Sequence, residues 1–292
     1  MQRRFWYTKK VVYNLTERVS YYRIVFIGEY MAVDIIKIGA YTVHGYGLMI
    51  GLGFLTCILY GMFRAKKSGL NDDLFFNMAV AVLVFGWLGG KILYCIVEIK
   101  EFIANPLALL GSEGFVVYGG ILSGIFTIFI YSKIKKVDFL RYIDLFAESV
   151  PINQCFGRVG CFLAGCCYGR RTDAFYGVIF PEGCLAPAGV KLIPTQLISA
   201  FGDALIFIAI AIASNVISKN GTINNKMKGF SAALYLSLYG IGRFFVEFLR
   251  NDRRGNVWFL STSQFISLFI CAAGIVAICC ISVNAKKFDN FN

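Results

Sequence analysis

Long apolar runs separated by short polar segments dominate this 292-residue chain. A helix that crosses a bilayer needs about 20 mostly apolar residues. Seven stretches approach that length: 44–63, 74–97, 114–132, 139–160, 193–217, 229–249 and 260–283. The first, third, fifth and seventh are clear. The second carries Gly89, Gly90 and Lys91 near its end, the fourth holds Arg141, Asp144, Glu148, Pro151 and Arg158, and the sixth holds Arg243 and Glu247. Period-two alternation is absent, which argues against a β-barrel. The pattern predicts an all-α integral membrane protein, a bundle of about seven transmembrane helices. Residues 161–192 form the longest connection, with Pro181, Glu182, Pro187 and several glycines. Loops this long inside a compact fold are usually functional, and this one is expected to be an extracytoplasmic arm. No repeat of the kind that builds two-half transporters stands out.

Composition agrees with a lipid-solvated chain. Hydrophobic residues make up 58% and charged residues 16%, against about 45–50% and about 25% in ordinary soluble domains. A soluble globular enzyme, a disordered chain and a typical nucleic-acid binder are excluded. The balance of Lys+Arg 29 against Asp+Glu 17 gives +12, but the basic residues lie in short clusters. Arg64, Lys66 and Lys67 follow the first run, and Lys133, Lys135 and Lys136 the third. Lys219, Lys226 and Lys228 follow the fifth, and Lys286 and Lys287 the seventh. The positive-inside rule places these clusters in the cytoplasm, so the bilayer rather than nucleic acid is the implied partner. The N-terminal tail breaks the pattern, because Arg3, Arg4, Lys9, Lys10, Arg18 and Arg23 would lie outside. Either the tail is an interfacial or disordered arm, or translation begins at Met31 and residues 1–30 come from an overlong gene call. The second reading is preferred, leaving 31–285 as the polytopic domain and 286–292 as a cytoplasmic tail.

An Arg near the bilayer centre costs about 2.5–3.5 kcal/mol on insertion scales and usually marks a substrate, ion or proton site. Two such residues are flanked by glycine, in Gly157-Arg158-Val159-Gly160 and in Tyr239-Gly240-Ile241-Gly242-Arg243. Helical spacing puts Arg243, Glu247 and Arg250 on one face, at i, i+4 and i+7. Glu247 then pairs with Arg243 or Arg250 and leaves positive charge over. A guanidinium presents a planar fork suited to phosphate oxygens, so two forks at membrane depth suggest an anionic lipid headgroup. The plainer alternative is an ion-paired staple between helices, with Arg158 snorkelling to the interface.

Three further features stand beside the arginines. Gly119, Gly120 and Gly124 follow Tyr118, and small residues at this spacing suit close helix packing. His44, the only histidine, precedes Tyr46 and reads as an interfacial polar group. Five of the ten cysteines fall between Cys155 and Cys184. They suit a disulfide, a metal, an acyl-accepting thiol or simple packing. Without a paired CxxC or a His partner, no metal is assigned. A disulfide involving Cys184 is the more plausible of the sharper readings.

These blocks, in order, resemble the prolipoprotein diacylglyceryl transferase family. The resemblance runs through Tyr46-Gly47-Leu48-Met49, Gly119-Gly120 after Tyr118, and Gly157-Arg158-Val159-Gly160 with Gly165, Gly169 and Arg170. It continues in Pro194-Thr195-Gln196-Leu197 and in Tyr239-Gly240 with Arg243, Glu247 and Arg250. Departures are Cys161 and Ala164 where many members carry Asn, Cys166 where they carry Glu, Ile198-Ser199 for Tyr-Glu, and Lys91 for Arg. Tyr118 fills a place that is His in some members.

The resemblance implies transfer of the diacylglyceryl group of phosphatidylglycerol to the lipobox cysteine of prolipoprotein signal peptides, at the extracytoplasmic side of the bacterial cell membrane, with no cofactor. It implies catalytic roles for Arg158, Arg243, Tyr118, Tyr46 and Glu247. Substrate contacts would come from Arg158, Gly119, Gly120, Gly160, Gly165, Gln196, Gly240 and Arg250. Alternatives are a diverged paralogue acting on another thiol and a non-enzymatic lipid-binding protein or transporter.

Overall fold

The computed structural model describes residues 34–38, 41–218, 227–251 and 255–290. The extension 1–30, with both of its readings, lies outside the described residues, as do Lys219 and Lys226. In chain order the elements are β1 (Asp34–Ile38), β2 (Tyr41–His44), α1 (Gly45–Lys67), α2 (Asp72–Val97), α3 (Ile99–Ala104), α4 (Pro106–Gly111), α5 (Val117–Lys135) and α6 (Phe139–Ala164). After these come β3 (Val178–Ile179), β4 (Lys191–Leu192), α7 (Thr195–Ile217), α8 (Phe230–Glu247), β5 (Asn256–Val257), β6 (Leu260–Ser261) and α9 (Thr262–Asn290). All seven predicted stretches are helical. Three antiparallel two-stranded hairpins, β1–β2, β3–β4 and β5–β6, were not anticipated from the apolar pattern.

Among the described residues, five helices are long and apolar enough to cross a membrane: Gly45–Lys67, Asp72–Val97, Val117–Lys135, Thr195–Ile217 and Thr262–Ala285. Side chains such as Leu59, Trp87, Leu122, Ile212 and Phe269 are exposed along them, as expected where lipid is the solvent. The chain is a predominantly helical, multi-pass membrane protein. α6 and α8 carry the charges noted above and are not among the five.

Local sequence sets several boundaries. Asn71 caps α2 by accepting from the Leu74 N–H at 2.7 Å, and Asp72 and Asp73 in the first turn complement the helix dipole. Pro106 opens α4 behind the Asn105 cap. Lys136 ends α5 in a left-handed conformation, φ 56°.

The chain forms two compact units. One comprises Phe54–Asn153, Asp203–Ile241 and the chain from Ile266 onward. Its core joins Phe75 and Met78 of α2, Ile128 of α5, and Tyr142, Leu145 and Phe146 of α6. α2 and α5 touch backbone to backbone: a Cβ on Gly120 would lie 3.1 Å from the Gly86 carbonyl oxygen, and one on Gly119 would meet Leu93 Cβ at 2.6 Å. The Lys91 ammonium donates to the Ser112 and Gly114 carbonyls at 2.6 and 3.2 Å and tethers the chain between α4 and α5.

Asp144 and Glu148 of α6, within this unit, have structural partners. Asp144 accepts from the Gly229 and Ala232 N–H groups at 2.7 and 2.9 Å, neutralising the exposed donors at the start of α8. Glu148 meets Arg64 Nε at 2.6 Å with both side chains buried. Ser214 and Ser231 donate to its other oxygen at 2.6 and 3.1 Å. Removing one partner of such a pair strands the other charge and costs about 3–5 kcal/mol. Glu148→Ala is therefore expected to lower the thermal unfolding midpoint in detergent sharply, and an unchanged midpoint would contradict the assignment.

Candidate active site

The other unit comprises the described residues up to Gly53, Gln154–Gly202 and Gly242–Phe265. It is built around the end of α6. The Cys166 N–H donates to the Cys161 carbonyl at 3.0 Å and the Gly165 N–H to the Phe162 carbonyl at 3.1 Å. This 6→1 and 5→2 pairing is a Schellman motif, and Gly165 supplies the left-handed residue it requires, φ 69°. Any Cβ there would lie 2.7 Å from Cys184 Cβ.

Schellman geometry brings the side chains three residues before and two residues after the helix end together. In this chain both are cysteines, Cys161 and Cys166. Cys167, left-handed at φ 61°, completes a cluster in which the three Sγ atoms all lie within 4.8 Å of one another.

The start of α7 braces this turn. Thr195 Oγ1 donates to the Cys167 carbonyl at 2.8 Å and buried Gln196 Nε2 to the Cys166 carbonyl at 2.7 Å. A short extended segment follows. Gly169 pairs with Arg250, Arg171 pairs with Leu192, and the Arg170 N–H donates to the Leu249 carbonyl at 2.9 Å. Gly169 fits because a Cβ would meet Ile193 Cβ and its carbonyl oxygen at 2.8 Å. Hairpin β3–β4 covers the end of α6 with an apolar cluster of Phe162, Val178, Phe180, Ala186 and Leu192. The arm thus begins at Gly165, because residues 161–164 belong to α6.

Arg243 and Glu247 pair across one turn of α8 at 2.7 Å, and both are largely buried. Arg243 Nη2 also donates to Ser263 Oγ at 3.1 Å, while Ser261 Oγ donates to Glu247 Oε1 at 3.1 Å. Ser261 and Gln264 form a capping box on α9: the Gln264 N–H donates to Ser261 Oγ at 3.2 Å and the Ser261 N–H to Gln264 Oε1 at 3.0 Å. The expected face of three charges needs correction. α8 ends at Glu247, and Arg250 leaves the helix to join the bridge with Gly169. There it hydrogen-bonds the Cys167 thiol. Hydrogen bonding to Cys161 and Cys166 pulls the Cys167 pKa below the usual thiol range, and the Arg250 charge adds to this. The same sulfur contacts, with burial, push Cys166 up.

Arg158 is half-buried on α6, within electrostatic range of Cys161 and of Tyr46. Its flanking glycines admit α1. A Cβ on Gly160 would lie 3.2 Å from Tyr46 Cδ2 and Met49 Cβ, and one on Gly157 would touch Ile50 Cδ1 at 3.6 Å. Arg158, Tyr46, Gly160, Gly165, Gln196, Arg243, Glu247 and Arg250 thus share one unit, as does exposed His44 at the end of β2. Tyr118, Gly119, Gly120 and Gly240 belong to the other. There Gly119 and Gly120 seat α5 on α2, and Gly240 seats α8 on α9, where a Cβ would meet Cys271 Cβ and the Ser267 carbonyl oxygen at 2.8 Å.

Residues 34–280 match the family described as prolipoprotein diacylglyceryl transferase. The chain belongs to this family. It is 47% identical over 235 residues to the phosphatidylglycerol–prolipoprotein diacylglyceryl transferase of Clostridium tetani, covering 80% of this chain and 91% of that protein. It is 42% identical over 248 residues to phosphatidylglycerol–prolipoprotein diacylglyceryl transferase 2 of Clostridium perfringens, covering 84% and 94%. The phosphatidylglycerol–prolipoprotein diacylglyceryl transferase of Clostridioides difficile is 30% identical over 255 residues, 85% of this chain and 96% of its own.

Within this diacylglyceryl transferase chain, two site features were not read from the sequence. Ser261 is one, although its Ser-x-x-Gln spacing is a visible cap signal. The other is the convergence of Cys161, Cys166 and Cys167, for which the signal was a glycine between cysteines at a helix end. Ser261→Ala is expected to lose about 1 kcal/mol of stability through the cap and to reduce transfer, with Ser261→Thr restoring both. Wild-type unfolding and transfer in Ser261→Ala would refute the coupling.

Proposed function

We propose that this chain transfers the diacylglyceryl group of phosphatidylglycerol to the lipobox cysteine thiol in the signal peptide of prolipoproteins. A thioether forms and glycerol phosphate leaves. The observation that carries the reading is the unit that holds Arg158 and Arg250 together with the buried Arg243–Glu247 pair, set in a chain whose relatives at 42–47% identity bear the transferase name. Guanidinium groups gathered in one unit present planar forks suited to the phosphate oxygens of an anionic headgroup.

In this reading Arg158 and Arg243 bind the phosphate of phosphatidylglycerol and stabilise the charge that grows on it as the glyceryl C–O bond breaks. Glu247 orients Arg243, and Arg250 completes the positive field. Gln196, Gly160 and Gly165 shape the site by holding the backbone around it. Tyr46 is the phenol that shares the unit of Arg158 and Arg243 and is available to the incoming thiol. A phenol is a weak base near neutrality.

α6 and α8 join the five apolar helices to make seven spans. The basic clusters then face the cytoplasm, and the arm from Gly165 to Pro194 faces outward with the site. The chain is placed in the bacterial cytoplasmic membrane, with 31–285 as its catalytic domain. Close relatives named as transferases favour this enzymatic reading over a lipid transporter.

Losing one preorganised donor to a developing oxyanion costs about 100–1000-fold in rate. Arg158→Ala and Arg243→Ala are each expected to fall by that order in membranes supplied with phosphatidylglycerol and a lipobox peptide. The wild-type gene is expected to restore lipoprotein modification in a strain depleted of its own transferase. Near-normal rates in both Arg variants would remove the phosphate clamp.

A further inference from the structure

Cys161, Cys166 and Cys167 are more than small packing residues. Three thiols within 4.8 Å of one another approach the spacing of sulfurs around one tetrahedral ion, because Zn–S bonds of about 2.3 Å separate ligand sulfurs by about 3.8 Å. Their backbone is fixed before any ion arrives. The Schellman turn sets Cys161 against Cys166, and Thr195 and Gln196 hold the carbonyls of Cys167 and Cys166. All three side chains are half-buried, so a fourth position is reachable. A disulfide between any two would leave the third unused, whereas a thiophilic ion uses all three. Three thiolates around a divalent ion carry one net negative charge. Arg250, hydrogen-bonded to Cys167, and Arg158, within electrostatic range of Cys161, oppose that charge.

We infer that Cys161, Cys166 and Cys167 form a site for a thiophilic divalent ion, zinc by its ligand set, whose fourth position receives the lipobox thiol as a thiolate. A centre with three protein ligands and one open position is the arrangement of catalytic rather than structural zinc, and a coordinating thiol is deprotonated by its ion. The step balances. The substrate S–H proton leaves to solvent on coordination, the sulfur lone pair forms the bond to the glyceryl carbon, and the C–O pair departs with glycerol phosphate. No electrons change hands. This inference rests on the transferase reading and supplies the activation of the thiol that a phenol provides only weakly.

The test uses the full chain, purified in detergent and reduced, titrated with Zn²⁺ and separately with Co²⁺. The expected result is one tightly held ion per chain and a thiolate-to-cobalt charge-transfer band. Loss of an outer-shell partner alone weakens metal sites about 10–100-fold, so C161S, C166S and C167S should each weaken binding by more than about 100-fold. C184S should bind as the wild type does. A lipobox peptide should shift the cobalt band and its Cys→Ser counterpart should not. Chelation should lower transfer at least about tenfold, with Zn²⁺ restoring it.

Absence of the band in reduced wild-type protein overturns the inference, as does a disulfide among these cysteines in protein taken directly from cells. A band indifferent to the three substitutions, or to the peptide, also overturns it. Metal-free protein that still modifies a lipobox peptide removes the ion and leaves the transferase reading standing. Failure of both zinc-loaded and metal-free protein to modify any lipobox peptide removes the transferase reading instead.

Discussion

A guanidinium taken out of water must exchange its hydration for partners of comparable strength. Arg243 does so through Glu247 one turn away and through Ser263 on the next helix. The carboxylate has its own requirement, met when Ser261 donates to its second oxygen. That hydroxyl also caps α9 by accepting from the Gln264 N–H. One serine therefore ties the charge state of α8 to the starting point of α9, and the short hairpin β5–β6 exists between them to bring it there. The cation is held in one direction by a chain of neutral and charged partners, which is the condition for it to serve as a preorganised donor.

The end of α6 solves a different problem with different chemistry. A helix end exposes four carbonyls, and the Schellman turn at Gly165 satisfies two of them while reversing the chain. The reversal sends residues 169–172 between the strand-like ends at 191–193 and 249–250. Gly169 is required there by crowding and Gly165 by its positive φ, so neither glycine needs a ligand to explain it. By contrast, the cysteines flanking Gly165 have no such backbone duty. Cys161 faces Cys166 because the turn dictates it, and the choice of sulfur at both places is a choice about side-chain chemistry.

Much of this was legible in the chain. Helical runs emerged from apolar length alone, and the Arg243–Glu247 pair from its spacing of four. Arg250 was misplaced because helical periodicity was extended past a terminus that carries no Gly or Pro signal, and the bridge joins it to Gly169, far away in the sequence. The charges of α6 looked alike in sequence but part company in the fold. Asp144 and Glu148 are consumed by the start of α8 and by Arg64, leaving Arg158 as the guanidinium of that helix in the candidate site. Tertiary partners distant in sequence decided which charges were structural, and no local pattern encodes them. The hairpins escaped notice because strands of two residues fall below any periodicity.

Charge accounting links the two halves of the site. Phosphatidylglycerol brings one negative charge and the deprotonated substrate thiol another. After transfer, the neutral thioether leaves both on glycerol phosphate. No charge is created in the proposed step; it moves from sulfur to phosphate. A protein catalyses such a shift by opposing the charge at both ends, with cations that need not reorganise as it moves. Arg250 stands at the sulfur end, beside Cys167, and Arg158, which in the proposed function binds the phosphate, is within electrostatic range of Cys161. Arg243, half-neutralised by Glu247, is the softer cation. A fully paired Arg would give the departing phosphate no field, and an unpaired one would hold it too tightly to release. In the proposed function the shared carboxylate would set Arg243 between these limits, a role for Glu247 beyond the burial of an ion pair.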